Sequence, residues 1–379
     1  MSTSALHVAF GADVLARASV RSDYVADAVT GLSHIADDWA ALERRENNAT
    51  VFQTLSWCSA WLSATAHAGR PEHPLFVRVR RHGATVLLWP LCRSRTAGCR
   101  ILHALGEPAT QYCDALVDSH CDRSEAVASA WTLVMARDDV DLVSLRRVRD
   151  DAAIAVLPAV IASAPNDRAP FADLSIATGT RQWSTRRRRK LERGLSKLSA
   201  TGEVAFTRVL DTSGKIRAVE RAVAFKRAWM RSRGLWSGGY MHPAADAFTR
   251  FLAPDPAFEV FVLKAGTEDV AIESGYALEG TYWCLTRAYN PLFTALSPSH
   301  LLGQRTLDYF AQLGLQCYDM LSPCQPFKLD WATGTIGVRD VLVPTTWRGA
   351  LFARTSELAK PTLKRLLGRI AAKPAQPQD

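Results

Sequence analysis

The residues best suited to chemistry lie in the last third of the chain. Ser297-Pro298-Ser299-His300-Leu301-Leu302 follows a strand-like run and opens a helical one, with Pro298 suited to the first helical turn. The N–H groups of that turn have no partner inside the helix. Together with two hydroxyls and the positive end of the helix dipole, they form an anion site that a diphosphate would fit. The same residues also read as an ordinary capped helix, because serine is a favoured N-cap. Glu273 is the second feature: a carboxylate in the middle of Val270-Ala271-Ile272-Glu273-Ser274-Gly275-Tyr276. Facing a cleft, it would be desolvated and hold a proton more tightly. Facing solvent, it would be one more polar position in a half-covered sheet.

The spacing of apolar residues predicts the elements that carry these groups. Leu32, Ile35, Trp39 and Leu42 recur at helical steps, and a second helix is expected from Ser56 to Ala66. Strands follow at Leu75–Val79 and Ala84–Leu91, with shorter ones at Ile101–Leu105 and Asp114–Val117. A helix over Ser124–Ala136 and a strand over Val140–Leu145 complete a first α/β unit. Residues 163–170, rich in turn formers, mark a boundary. Beyond it come a helix (Arg181–Ala200), a strand (Val204–Val209) and a long helix through Ile216, Val223 and Met230. Strands at Phe258–Ala265, Val270–Leu278 and Thr281–Tyr289, a helix from Pro298 to Gly314 and a strand at Gln316–Leu321 finish the second unit. The first unit reads as a degraded version of the same order, a structural duplication without close sequence repetition. The expected divisions are a lead-in (1–25), a first domain (26–164), a linker (165–180), a second domain (181–346) and a basic amphipathic tail (347–379).

Tyr289-Asn290-Pro291, Ser297 to Leu302, Gly314, Tyr318-Asp319-Met320-Leu321 and Phe327-Lys328-Leu329-Asp330-Trp331 occur in that order. This pattern resembles the CelD/BcsL-like (BioF2-like) acyltransferases of the GCN5-related N-acetyltransferase superfamily, close to the FemAB-type tandem transferases. The likeness covers about residues 180–335, and Ser299 stands where the family usually has glycine. It implies an α/β fold of tandem N-acetyltransferase units, with mixed sheets flanked by helices. It further implies acetyl-CoA or another acyl-CoA as co-substrate, its diphosphate held by Ser297, Ser299, His300, Leu301 and Leu302, and no metal. Direct attack by an acceptor amine needs a base and oxyanion donors. Glu273 is the expected base and Asp319 a second candidate, with a hydrogen-bonded structural role as the alternative for Asp319. Tyr289 could protonate the departing thiolate, or simply be core. Lys328 and Trp331 fall in the family's Y-K-x-x-W element, with Phe327 replacing tyrosine, and are assigned to the acceptor. Lys328 could instead pair with Asp330. Arg187 in the basic helix and Trp236 in the loop Arg231–Tyr240 are further acceptor candidates.

Charge and cysteine content narrow the function class. The formal net charge of +9 is local: residues 181–197 hold eight cations and one anion, and residues 347–379 hold seven cations and two anions. The rest of the chain is close to neutral, which excludes a broad nucleic-acid-binding coat and DNA as a partner. The basic helix suits a phosphorylated acceptor, such as a nucleotide sugar or lipid-linked saccharide. The tail suits either an anionic membrane surface or packing onto the catalytic domain. Eight cysteines contain no C-x-x-C pair and fit no zinc spacing, so a reduced cytoplasmic setting is expected, with peripheral attachment at the membrane's inner face open through the tail. The expected activity is N-acylation of an amino sugar in exopolysaccharide, cellulose or adhesin assembly. Two alternatives are a FemAB-like aminoacyltransferase and a non-catalytic sensor of an anionic nucleotide such as a cyclic dinucleotide.

Overall fold

A computed structural model of the chain describes residues 23–45, 47–158, 167–177 and 185–356, together with 362 and 366. The first half holds β1 (Tyr24–Val29), α1 (Ala36–Glu43), α2 (Leu55–His67), β2 (His73–Arg81), β3 (Ala84–Thr96), β4 (Cys99–Ala104), β5 (Leu116–Val117), α3 (Arg123–Met135) and β6 (Leu142–Arg149). Next come β7 (Asp167–Asp173), α4 (Leu174–Ala177), α5 (Thr185–Ser199), β8 (Val204–Arg208), α6 (Thr212–Ser232), α7 (Gly238–Met241) and α8 (Ala245–Leu252). The chain continues through β9 (Phe258–Ala265), β10 (Glu268–Leu278), β11 (Thr281–Tyr289), α9 (Pro298–Gln312), β12 (Cys317–Asp319), α10 (Pro326–Leu329) and β13 (Gly334–Pro344).

Local chemistry sets several of these boundaries. Thr54 caps α2 by accepting the Trp57 N–H at 3.2 Å, and Asp122 caps α3 by accepting from Ser124 and Glu125. Asp211 does the same for α6 through Gly214 N–H at 2.6 Å. Each such cap stabilises its helix by about 1 kcal/mol.

All the strands join one sheet in the order β1-β2-β3-β4-β6-β13-β7-β12-β11-β10-β9-β8, with β5 attached to β3. The order is symmetric about its middle. In the first half β1 to β4 pair antiparallel in succession, and β4 pairs parallel with β6. In the second half β8 to β11 pair antiparallel in succession, and β11 pairs parallel with β12. The duplication read from the sequence is therefore a matched strand topology. The two halves also exchange strands. β7, which leaves the first half, pairs with β12 of the second, while β13, which leaves the second, pairs with β6 of the first. β7 and β13 then pair with each other across the centre.

The residues expected as linker, 165–180, thus include a central strand, and β1 begins inside the expected lead-in. Helices cover both faces in equivalent places. One continuous apolar cluster joins α1 and α2 to α6 and α8, through Trp39, Trp57, Trp61, Phe248, Tyr276 and Trp283. On the other face α3 covers the first half and α9 the second. Trp57 and Trp61 meet Phe248 edge-on at 4.8 and 5.1 Å, so the halves share a core. The start of the tail, helical over 347–356, packs through Ala353 against Cys99 and Leu142 of the first half. No described helix is long and apolar enough to cross a membrane.

Candidate active site

The second half opens a split in its sheet. β12 accompanies β11 only from Thr281 to Trp283; from Cys284 onward β11 continues to Tyr289 without it. A register shift falls at the same place: Ser274 faces Thr286 and Gly275 faces Cys284, leaving Leu285 as an extra residue on β11. Such a bulge bends its strand and leaves one residue unpaired. The sequence provides for this crowding with glycine at 275, where a Cβ would stand 2.3 Å from the Trp283 carbonyl oxygen.

Glu273 lies beneath the split with no solvent exposure. Arg287 Nε donates to one of its oxygens and the Tyr318 hydroxyl to the other. Arg287 Nη2 donates in turn to the Tyr318 hydroxyl at 2.6 Å. The three residues come from β10, β11 and β12, so the network ties the strands together where they begin to part. Burial works against the Arg287 charge, but Glu273 outweighs it and holds the guanidinium protonated well beyond its ordinary range. Burial also pushes the Tyr318 phenol well up. The guanidinium lies on α9 at Gly303, where a Cβ would come within 2.5 Å of Nη1.

Two lysines sit by the same split. Burial lowers Lys328 to about 8, with repulsion from Lys226 acting in the same sense and Cys284 opposing. Its ammonium donates to the carbonyls of Leu321 (2.8 Å) and Pro323 (3.0 Å) rather than pairing with Asp330. Burial lowers Lys226 too, and its Nζ stands 5.1 Å from the Trp229 ring centre and 5.9 Å from that of Tyr240. Burial raises Cys284 to about 11 and Tyr240 to about 12; the Tyr240 hydroxyl lies 3.0 Å from Thr286 Oγ1.

The start of α9 follows β11 through a 3-10 turn, Pro291–Leu296, whose Asn290 cap accepts the Leu292 N–H at 3.1 Å. Ser297 is left-handed (φ 54°) and its side chain makes no cap bond, so its hydroxyl is not spent as an ordinary N-cap. Ser299 is helical, and none of the backbone N–H bonds around this turn uses its N–H. A Cβ at 299 therefore costs no strained backbone, and serine fits where glycine is usual in the family that the sequence resembles. His300 turns toward the following segment: Nε2 is 3.7 Å from Asp330 and the ring 6.1 Å from that of Trp331. Leu302 is buried in the core and Leu301 is packed against it. The exposed Arg189, Lys190 and Arg193 lie on α5, which packs against this turn and α9.

The other expected residues are dispersed. Strand alternation sends Asp319 to the opposite face from Tyr318. There it accepts from the Tyr112 hydroxyl (2.9 Å), Arg149 Nη1 (2.7 Å) and Leu321 N–H (2.7 Å). Burial raises Asp319 despite Arg149, and its partners Tyr112 and Arg149 belong to the first half. Tyr289 packs beside the α9 apolar cluster, outside the Glu273 network. Trp331 is core. Trp236 is half-buried in the loop before α7, where Gly238 approaches Pro108 of the first half. The Arg187 side chain lies outside the described residues. Arg287, Tyr318, Lys226 and Cys284 escaped sequence reasoning as site residues. Only alternation could have pointed to Tyr318, since a strand that buries Tyr318 toward Glu273 must turn Asp319 away.

Residues 185–329 match the family model described as an acetyltransferase (GNAT) domain. No curated protein matches the chain by sequence. Among solved structures, FemX has 10% identity and a TM-score of 0.57, covering 86% of this chain and 99% of its own. The C-terminal domain of a putative lysylphosphatidylglycerol synthetase from Agrobacterium fabrum has 11% identity and a TM-score of 0.51, covering 87% and 97%. A conserved protein of unknown function from Bacteroides thetaiotaomicron has 9% identity and a TM-score of 0.53, covering 83% and 97%. The chain has the tandem GCN5-related N-acetyltransferase fold, and its residues 185–329 are similar to acetyltransferase (GNAT) domains.

Proposed function

We propose that the chain is an acyl-CoA-dependent N-acyltransferase that acetylates the amine of an amino sugar in polysaccharide assembly. The observation that carries this reading is the sheet split at Cys284 with the uncapped start of α9 directly after it. The residues present fit an acyl-CoA. The Ser299 N–H, the Ser297 and Ser299 hydroxyls and the helix dipole would hold the diphosphate, with His300, Leu301 and Leu302 shaping that turn. The freed edge of β11, 284–289, offers backbone donors and acceptors to an extended amide chain and to a developing oxyanion. Bound there, acyl-CoA would supply the activated thioester carbon.

The chain's own groups then handle the proton. The attacking amine must lose a proton as its nitrogen bonds to the carbonyl carbon, and the departing thiolate must gain one. Both oxygens of Glu273 are engaged and none of its surface reaches solvent. In this reading Glu273 supports the base function by fixing Tyr318 and Arg287 under the split, and Lys328, lowered to about 8, takes the amine proton and returns it to the thiolate as the carbon–sulfur bond breaks. Trp236 and Arg187 are assigned to the acceptor, a nucleotide-linked or lipid-linked saccharide.

The test is thiol release from acetyl-CoA by the full chain, with a panel of free and nucleotide-linked amino sugars, run beside alanyl-tRNA with the same acceptors. Release that depends on an amino sugar supports the proposal. Consumption of alanyl-tRNA alone would assign the chain to aminoacyl transfer instead.

A further inference from the structure

A second cluster of reactive side chains lies in the first half, well apart in sequence from the residues assigned to acyl transfer. Glu72, Cys92 and His103 each present one ligand-type atom, all within 4.8 Å of one another. The fold brings them together: Cys92 on β3 and His103 on β4 are directly paired across the sheet. Glu72 immediately precedes β2, whose Pro74 is the cross-strand partner of Cys92 on its other side. Each group is oriented by a further contact. Trp61 Nε1 donates to Glu72 Oε1 at 3.1 Å, which leaves Oε2 facing Cys92 Sγ at 2.5 Å. His103 Nδ1 is 3.0 Å from the Ala104 carbonyl oxygen, a contact that puts the ring proton on Nδ1 and leaves Nε2 with its lone pair.

We propose that Glu72, Cys92 and His103 bind one zinc ion. A thiolate, an imidazole and a carboxylate form a three-residue zinc set, and two anionic ligands balance a divalent charge. Zinc bonds of about 2.0–2.3 Å place tetrahedral ligand atoms some 3–4 Å apart, so metal entry would draw Cys92 Sγ and Glu72 Oε2 about 1 Å further apart than their present 2.5 Å. A thiolate and a carboxylate oxygen at 2.5 Å repel unless a proton or a cation lies between them. Cys92 is buried, whereas Glu72 and His103 are half-buried, which gives the ion a route in and leaves a fourth position for water. The site would clamp the start of β2 to β3, β4 and, through Trp61, α2. The His242 ring of the second half packs on Trp61 at 5.0 Å, so the clamp reaches the contact between the halves. The spacing 72, 92, 103 resembles no sequential zinc motif, because the ligands meet across strands.

The full chain, treated with chelator, is titrated with Co2+ and then with Zn2+ in competition with a chromophoric chelator. One equivalent of Co2+ should produce a thiolate charge-transfer band that Zn2+ abolishes, and zinc should raise Tm. Cys92→Ser should remove the band and His103→Gln should weaken zinc by at least ~10-fold. Cys121→Ser should keep both signals. His103 is half-buried, so His103→Gln stays informative if Cys92→Ser does not fold. No band, or equal zinc affinity in all three variants, would overturn the site.

Discussion

At the residue scale, the account rests on buried charges whose partners are known. Removing one partner of a buried ion pair costs about 3–5 kcal/mol, whereas replacing both with neutral groups costs less. Glu273→Gln should therefore lower unfolding free energy by roughly 3 kcal/mol or more, and Glu273→Gln with Arg287→Gln should recover part of it. Urea denaturation of the four-member cycle checks this; additive losses would mean that the two residues do not depend on each other. Lys328, lowered to about 8, predicts a rate that rises with pH through about 8 as the amine becomes neutral. Lys328→Met should abolish that limb, and an unchanged profile would remove Lys328 as proton acceptor. Asp114 supplies a stability signature of the opposite sense. Burial raises it from 3.8 to about 7 although the N–H groups of Ala115, Ala153 and Ile154 oppose the shift. Between those values the folded chain binds more protons than the unfolded one, so the Asp114 contribution is present at pH 4 and is lost as pH rises through 7. Asp114→Asn should flatten this fall in thermal melts from pH 4 to 8.

At the element scale, the exchanged strands decide how the molecule folds. Each half finds the partner for its last parallel strand in the other: β7 for β12 and β13 for β6. Fragments 1–180 and 181–379 should therefore be insoluble when made separately and co-purify one-to-one when made together. Two fragments that each fold alone as monomers would contradict the exchange. The same strands mark where the sequence was opaque. The β9–β11 meander and α9 were legible because each carries its own apolar period and turn residues. β7 reads Asp-Arg-Ala-Pro-Phe-Ala-Asp, the composition of a loop, and becomes a strand only because β12 and β13 flank it. β1, the opposite case, is an edge strand with no fully buried residue and so little pattern to read. The candidate site divides in the same way. Glu273 and the start of α9 stood out within single segments, whereas Arg287, Tyr318 and Lys226 acquire meaning only when β10, β11, β12 and α6 meet.

At the scale of the whole molecule, a shared core and an exchanged sheet make one body of two equivalent folds, of which the second carries the split and the turn proposed to bind an anion. In the first half the pairing of β4 with β6 ends at His103 and Ser144, and the segment after β4 covers the equivalent place: Cys113 N–H bonds the Arg147 carbonyl at 3.3 Å and Tyr112 reaches Asp319 of the second half. Part of the excess positive charge falls on the second half, where exposed Arg189, Lys190 and Arg193 on α5 flank the start of α9. The tail carries the rest, and its first helix lies on the first half with Trp347 and Leu351 exposed. The central claim, that α9 receives the diphosphate of an acyl-CoA, is tested most directly by calorimetry with acetyl-CoA on the full chain and on Ser299→Glu, which sets a carboxylate where the diphosphate would lie. The account predicts saturable one-to-one binding to the native chain and at least ~10-fold weaker binding to the variant, a difference of about 1.4 kcal/mol or more. No heat of binding and no rise in Tm with acetyl-CoA, or equal affinity for both proteins, would contradict it.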